Sequence, residues 1–107
     1  MSWTIETLNA AVDAEISALP AEMRARLVRA FRLIEAYGFQ NLPSGMVKHL
    51  EGKLWEVRIS AAAGISRAIY VTATGKRIII LRVFVKKTQK TPRRELELAR
   101  QRAKEIT

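Results

Sequence analysis

The sequence predicts an α+β domain in which helices occupy the two ends of the chain and strands the middle. Three observations carry that reading. Apolar residues recur at helical spacing between Leu8 and Tyr37, the pattern switches to a two-residue alternation from Lys53 onward, and a helical period returns after Thr91 and Pro92. With 107 residues there is enough chain for one modest core, so residues 1–107 are read as a single domain.

Taken in order, Trp3 and Ile5 alternate with Thr4 and Glu6, which suggests a short first strand. Leu8, Val12, Ile16 and Leu19 form the stripe of an amphipathic helix, and Pro20 interrupts it because proline suits the start of a helix and not its interior. Met23, Leu27, Phe31, Ile34 and Tyr37 line a second helix, which Gly38 is placed to stop by adopting a left-handed backbone. These two helices are expected to form an antiparallel hairpin. "NLPSG" is punctuation, and "MVKHLEG" is open between a helical turn and an irregular lead-in.

"KLWEVRIS" then puts Trp55, Val57 and Ile59 on one strand face and Leu54, Glu56 and Arg58 on the other. "GISRAIYVTA" reads as the next strand, with Arg67, Ile69 and Val71 sharing a face. After a hairpin at Gly75, "IIILRVFV" is apolar on both faces except at Arg82, as expected of a central strand covered on both sides or lining a cleft on one. A last helix follows, with Thr91 as its expected cap, Pro92 at its first position, and a thin stripe of Leu96, Ala99, Ala103 and Ile106. The whole is an N-terminal strand and helical hairpin packed on a small, mainly antiparallel sheet, closed by a C-terminal helix.

Charge is the other strong signal. The net charge is +9, yet residues 1–42 carry four basic and five acidic groups, a balance of −1, while residues 43–107 carry fifteen basic against five acidic, a balance of +10. Such a field fits a polyanion such as nucleic acid; an acidic protein partner or plain solubility would also account for it. The absence of cysteine excludes a disulfide framework and a thiolate metal site, and a reducing cytoplasm is the expected location. No apolar run is long enough to suggest a membrane span, and the N-terminus does not read as a secretion signal. His49 is the sole histidine and reads as a surface or turn residue; neither a metal nor any other cofactor is implied, and neither a nucleophilic triad nor a phosphate loop is present.

What remains is a set of cations on neighbouring strands. Arg58, Arg67, Arg82, Lys86 and Lys87 are expected to converge on one open face of the sheet. A charge inside a sheet is costly unless paired or reaching water, so Arg67 and Arg82 need partners, either substrate phosphates or carboxylates such as Glu56 and Glu95. For Lys86 and Lys87 the plainer account is protection of a strand end.

"GKLWEVRI", "GISRAIYV" and "ILRVFVKKTQKTPRRELELARQR" resemble the phage-derived, HigB-like branch of the RelE/ParE toxin superfamily, and "LPAEMRARLVRAFRLIEAYG" resembles that family's helical hairpin. The resemblance covers most of the chain, and the strand-to-helix segment with its double lysine is its most specific part. It implies a RelE-like fold and the toxin of a type II toxin–antitoxin pair that cleaves mRNA, on the ribosome, without a metal. In that chemistry the ribose 2′-hydroxyl attacks the adjacent phosphate and the 5′-oxygen leaves.

Carried over by position, the resemblance makes Arg67 the transition-state cation, Lys86 and Lys87 phosphate contacts or proton donors, and Glu56 either a base or the group that orients Arg58. Arg58, Arg82, Lys90, Arg93 and Arg94 would hold RNA. Removing Arg67 is then expected to abolish activity without unfolding the domain. The implied partners are mRNA, the ribosome and a helix-turn-helix antitoxin, with the free chain a monomer or weak dimer and the neutralised chain a hetero-oligomer. The chain departs from relatives that carry a tyrosine or histidines near the C-terminal side of the cleft, because only Phe84 is aromatic after Tyr70. A ParE-like inhibitor of DNA gyrase, or a nucleic-acid-binding module on the same fold, is the alternative.

Overall fold

The structure, a computed structural model, describes residues 2–40, 42–87 and 90–106. In chain order the elements are β1 (Thr4–Thr7), α1 (Ala10–Ser17), α2 (Ala21–Tyr37), β2 (Val47–Glu51), β3 (Leu54–Ala61), β4 (Gly64–Ala73), β5 (Arg77–Lys86) and α3 (Arg93–Ala103). The strands form one sheet in the order β1-β5-β4-β3-β2. Every neighbouring pair is antiparallel except β1 with β5, which is parallel. The expected α+β arrangement is therefore present. Among the described residues no helix is long and apolar enough to cross a membrane.

Local chemistry accounts for the helix ends. Asn9 caps α1 by accepting the Val12 N–H at 3.2 Å. Pro20 precedes the first residue of α2 and Gly38 ends it at φ 77°, a left-handed backbone that glycine adopts without a Cβ clash. The two helices lie against the sheet, α1 on β5 and α2 on β3, and touch it more than each other. "VKHLE" is strand β2, not a helical turn, with Lys48 opposite Glu56 and His49 opposite Trp55. An edge strand half open to water has no need of a full apolar face, so its period is faint.

Two cores sit on opposite sides of the sheet. Val12, Leu27, Ile34, Val57, Ile59, Tyr70 and Ile80 fill the side under α1 and α2. Leu54, Ile69, Val71, Ile79, Leu81, Phe84 and Ala99 fill the side under α3. The alternation of β5 breaks between them: Ile78, Ile80 and Val83 belong to the first core, and Ile79, Leu81 and Phe84 to the second. The cause is a bulge. Tyr70 pairs with Ile80 and Ile69 with Arg82, leaving Leu81 as an extra residue that reverses the facing of all that follows.

The reversal turns Arg82 toward α3, where Nε meets Glu95 at 2.8 Å and NH1 meets Glu15 of α1 at 2.9 Å. Arg102 joins them, bonding Glu15 at 2.8 Å and the Leu81 carbonyl at 2.8 Å. Glu15 also accepts the Val83 N–H at 3.0 Å, beyond the point where β1 stops pairing with β5. Two arginines and two carboxylates balance, so this is a neutral clamp joining α1, β5 and α3. Arg82, expected to hold RNA, is instead bound by two carboxylates, and its guanidinium is held above its ordinary pKa first by the Glu95 hydrogen bond. Burial alone would raise Glu15, but the bonds from Arg102, Val83 and Arg82 outweigh it and hold its carboxyl below the ordinary 4.5.

Because its folded pKa is depressed, Glu15 contributes stability in full above about pH 4.5 and loses it as pH falls through the lower folded value. Glu15→Gln is expected to lower unfolding stability at pH 7 by about 2 kcal/mol. Urea titrations should show the gap from wild type closing in acid; a constant gap down to pH 2 would contradict the clamp.

Candidate nucleic-acid interface

Strand alternation assembles the site. Leu54, Glu56 and Arg58 of β3 face the α3 side, as do Arg67, Ile69 and Val71 of β4 and, after the bulge, Arg82, Phe84 and Lys86 of β5. The register places Arg58 opposite Arg67, Arg67 opposite Phe84, and Lys48 opposite Glu56. The apolar floor beneath α3 thus gives way to a charged stretch.

Glu56 organises that stretch. Its Oε1 accepts from Arg58 Nε at 2.6 Å and from Arg67 NH1 at 3.1 Å, and its Oε2 accepts from the Thr91 hydroxyl at 2.7 Å. Arg67 NH1 also donates to Thr91 Oγ1 at 3.3 Å, so that one hydroxyl both gives and receives a bond. Glu56 and Arg67 are wholly buried, whereas the Arg58 side chain keeps 14% of its surface in solvent. Two guanidinium groups share one carboxylate, leaving a charge of +1 among these three side chains.

The structure therefore differs from an open cluster of cations. Arg67 exposes no surface, so in this conformation a phosphate feels its charge and does not touch it. Both oxygens of Glu56 are occupied and buried, which is the geometry of a carboxylate that orients arginines, not of a base exposed to a ribose hydroxyl. Lys86, half-buried, shares the face of Arg82 and Phe84; Lys87, one residue beyond β5, starts from the opposite face by alternation. The double lysine therefore does not act from one backbone side. Lys90, Arg93 and Arg94 are exposed, and Arg93 reaches Glu97 at 3.9 Å. Thr88 and Gln89 of the double-lysine segment lie outside the described residues.

Thr91 corrects another expectation. Pro92 occupies the cap position of α3 and no side chain caps that helix; the threonine hydroxyl is spent on Glu56 and Arg67. Its sequence signal was that of a helix start, and nothing local betrays a partner 35 residues away. Lys48 and His49 also flank the site, brought there by β2. Among the described residues no group of three His, Cys, Asp or Glu side chains is placed to hold a metal ion.

Two outcomes follow for stability. Arg67→Ala should destabilise the fold by about 3–5 kcal/mol, since it strips a buried carboxylate of a buried partner, so the expectation that this variant stays folded is withdrawn. In a double-mutant cycle, Thr91→Ala and Glu56→Gln should couple by about 1 kcal/mol. A hydroxyl acting only as a helix cap would give additive losses.

A family model described as "Phage derived protein Gp49-like (DUF891)" matches residues 14–104. No curated protein matches the chain. Among solved structures it is similar to the Escherichia coli toxin RelE, in a doubly arginine-substituted mutant in the free state, at 14% identity and a TM-score of 0.63, with 100% of each chain covered. That likeness is one of fold, and it agrees with the strand order and helix placement described above. The chain belongs to the phage-derived Gp49-like family, a RelE/HigB-type branch of the RelE toxin superfamily.

Proposed function

We propose that this chain is the toxin of a toxin–antitoxin pair and cleaves mRNA by metal-independent transesterification, on the ribosome. The observation that carries the proposal is the gathering of Arg58 and Arg67 on one carboxylate, Glu56, in a sheet face whose neighbours, exposed Lys48 and Lys90 and half-buried Lys86, form no carboxylate pair among the described residues. Family membership supports it. In the reaction the 2′-oxygen bonds to phosphorus as the phosphorus–O5′ bond breaks; one proton leaves the 2′-hydroxyl and another reaches the departing 5′-oxygen. Negative charge accumulates on the phosphoryl oxygens between those events. Arg58, oriented by Glu56 and part-exposed, is the proposed cation for that charge, and Arg67 adds its field from beneath. Lys86 is the proposed proton carrier, with Lys87 and Lys90 as phosphate contacts. A helix-turn-helix antitoxin would neutralise the toxin by covering this face.

One observation favours a second reading. Arg67 is sealed and Glu56 saturated, as in a cluster that serves only to hold the sheet, and a non-catalytic toxin directed at gyrase would need no more.

Induction of the chain alone should arrest growth and yield transcripts with cyclic phosphate ends, insensitive to chelators. Arg58→Ala, which leaves Glu56 two of its three partners, should reduce cleavage by about 100-fold while the domain stays folded. Primer extension on total RNA checks both. Intact transcripts beside trapped gyrase would establish the second reading.

A further inference from the structure

A recess of about 310 Å³ opens beside the charged cluster, between edge strand β2 and the start of α3. Lys48, His49, Leu50, Lys90, Thr91 and Leu96 line it. No acid is among them. Lys48 faces Glu56 across the β2–β3 pair, but both oxygens of that carboxylate are engaged by Arg58, Arg67 and Thr91, and Lys48 forms no ion pair among the described residues. Lys90 is exposed on the opposite wall. His49 is oriented by its Nε2, which donates to the Gly52 carbonyl at 2.8 Å, and its ring lies 4.8 Å from that of Trp55. Leu50 and Leu96 give the floor an apolar patch.

The neighbouring recess shows that this composition is particular. Between the β2–β3 turn and the end of α3, a hollow of about 430 Å³ also holds basic groups, Lys53, Arg100 and Lys104, but there Glu51 pairs with Arg100 at 2.5 Å and apolar wall dominates. Only the first recess joins the cluster directly, through the hydroxyl of Thr91.

We infer that the Lys48–Lys90 recess is a binding site for the RNA phosphate next to the one held at Arg58, with the ribose or base of that nucleotide against Leu50 and Leu96. This rests on the proposed action on RNA and extends it by naming where the strand continues. Lys86, Arg58 and Lys48 share this face of β5, β3 and β2 but lie on different rungs, so above buried Arg67 the cations run diagonally over three strand spacings, at least about 14 Å, enough for successive phosphates of an extended single strand. Two lysines on opposite walls of a groove bind a backbone without reading its bases, so the site would set the register of the strand and not its sequence.

The test is binding of a short fluorescein-labelled single-stranded RNA carrying 2′-O-methyl groups, which cannot be cleaved, across a salt series. Lys48→Ala combined with Lys90→Ala should weaken binding roughly tenfold and flatten the log–log salt slope by about 0.7, the value for one single-strand phosphate contact. Lys53→Ala combined with Lys104→Ala removes the same charge from the neighbouring hollow and should change the slope by less than half as much. Equal effects of the two pairs would overturn the site while leaving RNA binding intact. Wild-type protein that fails to bind the RNA at all would overturn both the site and the proposed function.

Discussion

The carboxylate of Glu56 is the point on which this side of the molecule depends. It lies in the middle of β3 with no solvent contact, a position that is tolerable only because two guanidinium groups and a hydroxyl satisfy it. Those partners come from β3, β4 and the approach to α3, so one buried charge fastens elements far apart in sequence. Its own cost is offset by arginine, whose fixed fork retains its proton in a buried setting where lysine would tend to lose one.

A second ion cluster in the same molecule shows that residue type alone does not decide role. Arg82 and Arg102 meet Glu15 and Glu95 and cancel; Arg58 and Arg67 meet Glu56 and do not. The difference is one carboxylate. The first cluster closes the layers of the fold, and the second fastens β3, β4 and the approach to α3 on one side of the sheet.

Much of this was legible in the order of residues. The stripes of α1 and α2, the facing of Trp55 against Glu56, and the central position of "IIILRVFV" all follow from simple periods, because burial on one or two sides leaves a direct trace in apolar spacing. Three features left no such trace. β2 draws its order from pairing with β3 more than from its own side chains. The extra residue at Leu81 reverses the facing of Arg82 and of every strand residue after it, and an uninterrupted apolar run hides a bulge because every register looks equally good. Thr91 wrote a helix-start signal while its hydroxyl served Glu56. Whether an arginine in a strand meets a substrate or a carboxylate depends on groups remote in sequence, which is why Arg67 and Arg82 were open between phosphates and the carboxylates Glu56 and Glu95, and it is those carboxylates that hold them.

The contact of Glu15 and Arg102 with the upper part of β5 has a consequence for how the protein behaves in a crowded solution. β1 spans only four residues, so the outer side of β5 beyond it would otherwise present bare peptide groups to any passing extended chain. One acid holds the amide of Val83 and one arginine the carbonyl of Leu81, and the rungs on which a foreign strand would zip are already taken. The pair that fixes the fold also takes up two backbone groups on which an extended chain would otherwise pair.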